Sequence, residues 1–234
     1  MYRKICVTNR ALAERPFLEQ LACVLATKPY AMILREKDLT EEGYEELAGK
    51  VKKLCENTDT RLILHSFPDA AMHLGCTAIH MPLHRFTEMP EEQKQKFLVR
   101  GVSVHSVEDA HRAEQCGATY LTAGHVFVTD CKKGLAPRGL DFLHEVCSSV
   151  KIPVYAIGGL TNTSSPPKRQ TVSWIRLRRL SVSATFVLTK MARLLRAMPL
   201  SRSAVAAPTV SFRSATTILA PCWIRQRAMP SPKP

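Results

Sequence analysis

GVSVHSVEDAHRAEQCGATYLTAGH, residues 101–125, holds a strand, a helix and a second strand in one short run. GVSVHS (Gly101–Ser106) has the β-branched, apolar content of a buried strand. Ser106-Val107-Glu108-Asp109 then reads as a helix start, a capping hydroxyl followed by acids in the first turn. GATYL (Gly117–Leu121) leads into a strand at Thr119–Thr122, so His125 falls just past a strand's carboxyl end. A β/α/β step this short implies parallel strands joined by a right-handed crossover.

Working outward, the same alternation fills residues 1–160. Strands are predicted at Lys4–Asn9, Ala31–Lys37, Arg61–Ser66, Thr77–Pro82 and Ile152–Gly159. Helices are predicted at Ala11–Thr27, from Thr40 as N-cap to about Asn57, and over Pro68–Leu74, Pro90–Leu98 and Gly139–Ser149. Seven β/α steps with strands apolar on both faces fit a (β/α)8 TIM barrel better than an open doubly wound sheet, the alternative. The barrel is expected to be incomplete. Seven units are recognisable and an eighth strand is missing, with Ser181–Leu188 the nearest stretch to one.

The chain has two unlike parts. Its formal charge is +13, yet residues 1–160 carry 20 Lys/Arg against 20 Asp/Glu. Residues 161–234 carry 13 Lys/Arg and no acid, and every Gly, His and Tyr precedes residue 161. The basicity therefore belongs to the tail, and nucleic acid is not an expected partner of the domain. The eight cysteines form no CxxC pair, and no apolar run approaches a membrane span. Tyr2-Arg3-Lys4 is followed by only a strand-length apolar run. These features together predict free thiols, no membrane association and a cytoplasmic location.

In a closed barrel the strand carboxyl ends share one mouth, where barrel enzymes do their chemistry. Arg35 and Lys37 lie two apart beyond the second strand, with Glu36 pointing away, a pair suited to a phosphate or diphosphate. His65 and Ser66 follow the third strand, His80 the fourth, Ser103 and His105 the fifth, and His125 the sixth. These histidines lack paired carboxylates, so no metal site is predicted from them. Thr129, Asp130, Lys132 and Lys133 cluster after His125, and Gly158-Gly159 suits a backbone phosphate nest, with a plain turn as the alternative.

LREKDL (Leu34–Leu39), GVSVHSVEDA (Gly101–Ala110), AGHVFVTDCKKG (Ala123–Gly134) and IPVYAIGGL (Ile152–Leu160) together resemble the thiamine phosphate synthase/TenI superfamily of barrels. Synthases of that superfamily join a pyrimidine diphosphate to a thiazole phosphate with Mg2+. They typically carry Asn-Asp after the third strand, HxGQxD after the fourth and Gly-Pro after the sixth. Here those places read His65-Ser66, His80-Met81-Pro82-Leu83 and Gly124-His125, and neither Asp69 nor Glu88 replaces the missing carboxylates. GHVFxTDCKKG is closer to the TenI branch of thiazole tautomerases, which move a proton without metal. The resemblance then implies a catalytic His125, with Ser103, Lys132 and Lys37 orienting or stabilising charge. Arg35, Lys37, Thr129, Gly158 and Gly159 would hold a thiazole phosphate. No cofactor is implied unless the synthase alternative holds, when Mg2+ would be. An inactive phosphate-binding or regulatory relic is the non-enzyme alternative, and homo-oligomerisation is left open.

The resemblance implies an eighth strand and the second half of a phosphate site beyond Leu160, but TNTSSPPKRQ and Arg/Ser/Pro-rich sequence follow instead. A reading-frame shift near codon 160 explains the simultaneous loss of Gly, Asp, Glu, His and Tyr. A basic tail with a surface-binding stretch at Leu188–Met198, or a fused domain, are the competing readings. A frame shift predicts that another frame of the nucleotide sequence over codons 150–234 restores a glycine-containing strand ending near a serine. Absence of such a frame would leave a genuine tail.

Overall fold

The computed structural model describes residues 3–129, 132 and 134–160, and the backbone alone of residues 182–187. Parallel strands β1 (Lys4–Val7), β2 (Ala31–Leu34), β3 (Arg61–His65), β4 (Ala78–Pro82), β5 (Val99–Val104), β6 (Tyr120–Gly124), β7 (Val154–Ile157) and β8 (Val182–Val187) form a closed barrel in sequence order. The expected α/β barrel is observed, with one correction. β8 pairs with both β7 and β1, so the eighth strand predicted to be missing is present within Ser181–Leu188. Weak alternation hid it, but two barrel strands left as open edges supply the hydrogen-bonding partners that any extended segment can fill. The other residues of the predicted tail lie outside the described ones.

The helices follow the sequence signals closely. α2 (Glu41–Cys55) is capped by Thr40, whose side chain accepts from the amide of Gly43. α6 (Val107–Gln115) is capped by Ser106, which accepts from the amide of Asp109 at 3.0 Å. α3 (Pro68–His73), α5 (Glu91–Gln95) and α7 (Gly139–Ser149) fall where expected. The helix predicted over Ala11–Thr27 divides into a 3-10 turn at Arg10–Leu12 and α1 (Phe17–Leu25), because Pro16 has no amide hydrogen for a continuous ladder. Helix α4 (Leu83–Glu88), directly after β4, was not expected. Six residues are too few to show a period, and α4 is anchored instead by burial of Phe86.

Two apolar layers hold these elements. Outward-facing strand residues such as Met32, Leu34, Leu64, Val102 and Leu121 pack beneath the helices. The inward set is smaller: Ile5, Val7, Ala31, Ile33, Ile63, Ala78, Tyr120 and Tyr155. Polar staples fix the mouth above it. Glu36 is buried, accepts from the Thr8 hydroxyl at 2.6 Å and takes the Arg10 amide on both oxygens, which clamps the loops after β1 and β2 together. The Tyr44 hydroxyl of α2 donates to the carbonyl of Leu34 and accepts from the amide of His65, locking the ends of β2 and β3. Glu36 thus serves the scaffold.

Ser106→Ala removes a cap that the fold uses, with an expected cost of about 1 kcal/mol and a fall in Tm of about 2–4 °C, read by thermal denaturation.

Candidate active site

Strand register places four residues on one row around the barrel: His65 opposite His80, His80 opposite Gly101, and Gly101 opposite Tyr120. Side chains on paired positions share a face, so this row points into the barrel. Gly101 contributes no side chain, and that gap decides the chemistry of the row. A Cβ there would lie 2.1 Å from the Tyr120 ring and 2.4 Å from His80 Nδ1. Without it the Tyr120 hydroxyl reaches across β5 to His80 Nδ1 at 2.9 Å. One step nearer the mouth, Ser103 stands opposite Thr122, their hydroxyls 3.1 Å apart. His80 Nε2 lies 2.8 Å from Ser103 Oγ and 3.4 Å from Thr122 Oγ1. His65 stacks on His80 with ring centroids 5.6 Å apart, and its Nδ1 meets the Ser66 hydroxyl at 2.7 Å.

Burial sets the charge of this cluster. His80 is 3% exposed, and loss of hydration, with the nearby Arg35 charge, lowers its pKa to about 3. His65 is likewise pushed well below 6.5 by burial first, then by His80, Arg35 and Lys37. Burial raises the Tyr120 hydroxyl well above 10. At neutral pH the row is therefore an uncharged imidazole–phenol–hydroxyl network.

Beside it the mouth is cationic. Arg35 and Lys37 follow β2, Lys132 follows β6, and Arg85 lies in α4, whose first residue directly succeeds β4. Lost hydration and the charges of Arg35, Lys132 and Arg85 all lower the pKa of the Lys37 ammonium. Arg35 is fixed at its backbone, where its amide donates to Thr8 Oγ1 at 2.9 Å. The Lys132 amide donates to the carbonyl of Thr129, which keeps the two predicted residues in one turn. Asp130, Cys131 and Lys133 of the same motif lie outside the described residues.

His125 stands apart from both groups. It is 5% exposed, with Nε2 3.3 Å from the Leu135 carbonyl and Nδ1 enclosed without a hydrogen-bond partner among the described residues. Gly158 and Gly159 seat the loop that carries it. A Cβ on Gly158 would meet His125 Cβ at 2.4 Å, and one on Gly159 would meet the Val128 carbonyl oxygen at 2.4 Å. Both glycines have positive φ, 96° and 69°, which other residues rarely adopt. His105 bonds the Gly124 carbonyl through Nδ1 at 2.8 Å. Of the four histidines at strand ends, His65 and His80 share the buried row, while His105 and His125 bond the backbone of β6 and of the loop after it.

Sequence alone sets Arg35, Lys37, His65, His80, Ser103 and Lys132 at strand carboxyl ends facing one mouth, but singles out neither Arg85 nor Thr122 nor Tyr120. The signal for Tyr120 was period-two alternation, which sets Tyr120, Thr122 and Gly124 on one face of β6. Nothing in the sequence indicated that Tyr120 meets His80, because the gap at Gly101 acts between strands.

Among the described residues, the strand ends that carry the Mg2+ carboxylates in the synthases resembled here do not offer such donors. Mg2+ favours hard oxygen ligands, usually carboxylates, whereas the ends of β3 and β4 offer His65, Ser66 and His80. Among the described residues no three His, Cys, Asp or Glu side chains group as a metal site. The one charged side chain that α4 brings close to Lys37 is the cation Arg85.

The fold and this mouth define a (β/α)8 barrel with a cationic rim over a buried neutral polar network. The family model for thiamine monophosphate synthase matches residues 5–174. Thiamine-phosphate synthase of Clostridium acetobutylicum is 32% identical over 170 residues, covering 70% of this chain and 79% of that protein. Thiamine-phosphate synthase 2 of Streptococcus pneumoniae is 32% identical over 165 residues, covering 68% and 77%. Among solved structures, thiamine phosphate pyrophosphorylase from Pyrococcus furiosus superposes with a TM-score of 0.64 at 25% identity, covering 82% of this chain and 91% of that one. The chain belongs to the thiamine monophosphate synthase family of enzymes. No helix among the described residues is long and apolar enough to cross a membrane.

The buried imidazoles predict a pH-dependent stability. The unfolded chain protonates His80 near pH 6.5, while the folded chain resists protonation down to about 3. Stability is therefore complete above pH 6.5 and falls as pH drops through that window. The expected slope is about 1.4 kcal/mol per pH unit for each such imidazole, measured by urea denaturation between pH 7 and 4. A His80→Gln variant should show a shallower slope.

Proposed function

We propose that this enzyme runs the synthase reaction, joining a pyrimidine diphosphate to a thiazole phosphate. The observation that carries the reading is the set of four cations at the mouth, Arg35, Lys37, Arg85 and Lys132, whose charges weigh on one another at Lys37. Such a concentration of positive charge suits a diphosphate, which gains negative charge as it leaves. In the step proposed, the carbon–oxygen bond to the diphosphate breaks and the thiazole nitrogen's lone pair forms a new carbon–nitrogen bond. The diphosphate departs with the bonding electrons onto the four side chains. The names of the relatives support this reaction over proton transfer.

The tautomerase reading asks His125 to exchange a proton with a thiazole ring. A buried ring with Nε2 directed at the Leu135 carbonyl is less suited to that work than to holding the β6–α7 loop. Tautomerisation therefore ranks second, and a phosphate-binding relic third. Thr129, Gly158 and Gly159 are proposed to bind the thiazole phosphate in either enzyme reading.

Full-length protein supplied with a pyrimidine diphosphate and a thiazole phosphate should release diphosphate and thiamine phosphate, and Arg85→Ala should lower kcat/KM roughly 10- to 100-fold. Turnover that persists in EDTA agrees with the missing carboxylates. Absence of this turnover, with His125-dependent conversion of a thiazole carboxylate phosphate, would replace the synthase with the tautomerase. Absence of both would leave the relic.

A further inference from the structure

The buried row of β4, β5 and β6 has a consequence for Ser103 that follows from hydrogen-bond accounting. A buried phenol needs an acceptor for its hydrogen. The Tyr120 hydroxyl has one hydrogen-bond partner among the described residues, His80 Nδ1 at 2.9 Å. Nδ1 is therefore an acceptor, and the proton of the neutral imidazole sits on Nε2. That Nε2–H points at Ser103 Oγ, 2.8 Å away, and the Thr122 hydroxyl donates to the same oxygen at 3.1 Å. Both lone pairs of Ser103 Oγ are then occupied from below and beside, and its own hydrogen has no acceptor among the described residues. Ser103 is half-buried at the carboxyl end of β5, so this hydrogen is available on the side of the mouth.

We infer that Tyr120 and His80 set the polarity of Ser103, making it an obligate hydrogen-bond donor that recognises a lone-pair atom of the substrate, a heteroaromatic nitrogen or a phosphoryl oxygen. Ser103 touches substrate, whereas His80 and Tyr120 act through it as positioning residues. Gly101 is part of the device, since any side chain there would fill the space where phenol and imidazole meet. The assignment is stable to pH because burial and the neighbouring Arg35 keep His80 neutral, and the other ionisable groups in contact are the equally neutral His65 and Tyr120. A site with this polarity accepts a ring nitrogen and rejects the same ring carrying N–H or C–H there. The inference rests on the synthase reading for its substrate but not for its tautomer.

The first measurement is a two-bond 1H–15N spectrum of the full-length chain labelled with [15N]histidine, with the His80 signals assigned by their loss in His80→Gln. The expected result is a neutral Nε2–H tautomer that does not titrate between pH 5 and 9. An Nδ1–H tautomer, or titration in that range, overturns the inference whatever the enzyme does. Calorimetry with a pyrimidine diphosphate and with inorganic diphosphate then locates the acceptor. Ser103→Ala should weaken the former about threefold to tenfold, the scale of one neutral hydrogen bond. An equal loss for inorganic diphosphate assigns the acceptor to a phosphoryl oxygen, and no loss there assigns it to the ring. No loss for either overturns the inference. In turnover, Tyr120→Phe should cost activity alone but add nothing to Ser103→Ala, whereas additive losses would show that Tyr120 does not act through Ser103. A wild-type enzyme with the expected tautomer and no thiamine phosphate formation would remove the synthase reading alone.

Discussion

The contact between Tyr120 and His80 spans a whole strand, and it is possible because Gly101 between them has no side chain. A phenol and an imidazole projecting from β6 and β4 would ordinarily be kept apart by whatever β5 placed on the same row. Removing that residue's side chain lets two polar groups satisfy each other inside an apolar barrel, where an unpaired one would cost about 1–3 kcal/mol. The site above depends on this arrangement. The imidazole that Tyr120 fixes meets Ser103 and Thr122, stacks on His65, and fills the floor of the mouth with neutral polar atoms rather than hydrocarbon.

Around that neutral floor the enzyme gathers positive charge from three separate β/α units. Arg35 and Lys37 come from one, Arg85 from another and Lys132 from a third. Like charges held this close depress one another's proton affinity, which is the direction seen at Lys37. Such an arrangement is costly in an empty protein and becomes favourable when an anion arrives. Where the synthases resembled here use carboxylates around Mg2+, this chain offers imidazole, hydroxyl and guanidinium. In the synthase reading proposed above, charge neutralisation at the rim is assigned to these side chains.

The β6–α7 loop shows a second way of holding the mouth. Its histidine is buried against Gly158, and its backbone runs over Gly159 so closely that any other residue would clash. A motif that looks in sequence like a presented catalytic imidazole followed by a phosphate nest is, in three dimensions, also a packing joint between β6 and β7. Both descriptions draw on the same residues, because loops that form active sites must be anchored by the strands beneath them.

Short runs apolar on both faces, helix caps at Thr40 and Ser106, and the spacing of β/α steps were sufficient to read an α/β barrel and to send Arg35, Lys37, Ser103, His125 and Lys132 to one end of it. These are local properties, carried by residues within a few positions of each other. The helix α4, the closing strand at Val182–Val187, the company of Arg85 with Lys37, and the Tyr120–His80–Ser103 row were decided only by tertiary structure. Each depends on what lies opposite across a strand pair or around the rim, and a linear sequence records neither register nor the absence of a side chain between two others. Burial has the same character. It turned His80 from an ordinary titrating imidazole into a neutral one, and no neighbour along the chain announces that change.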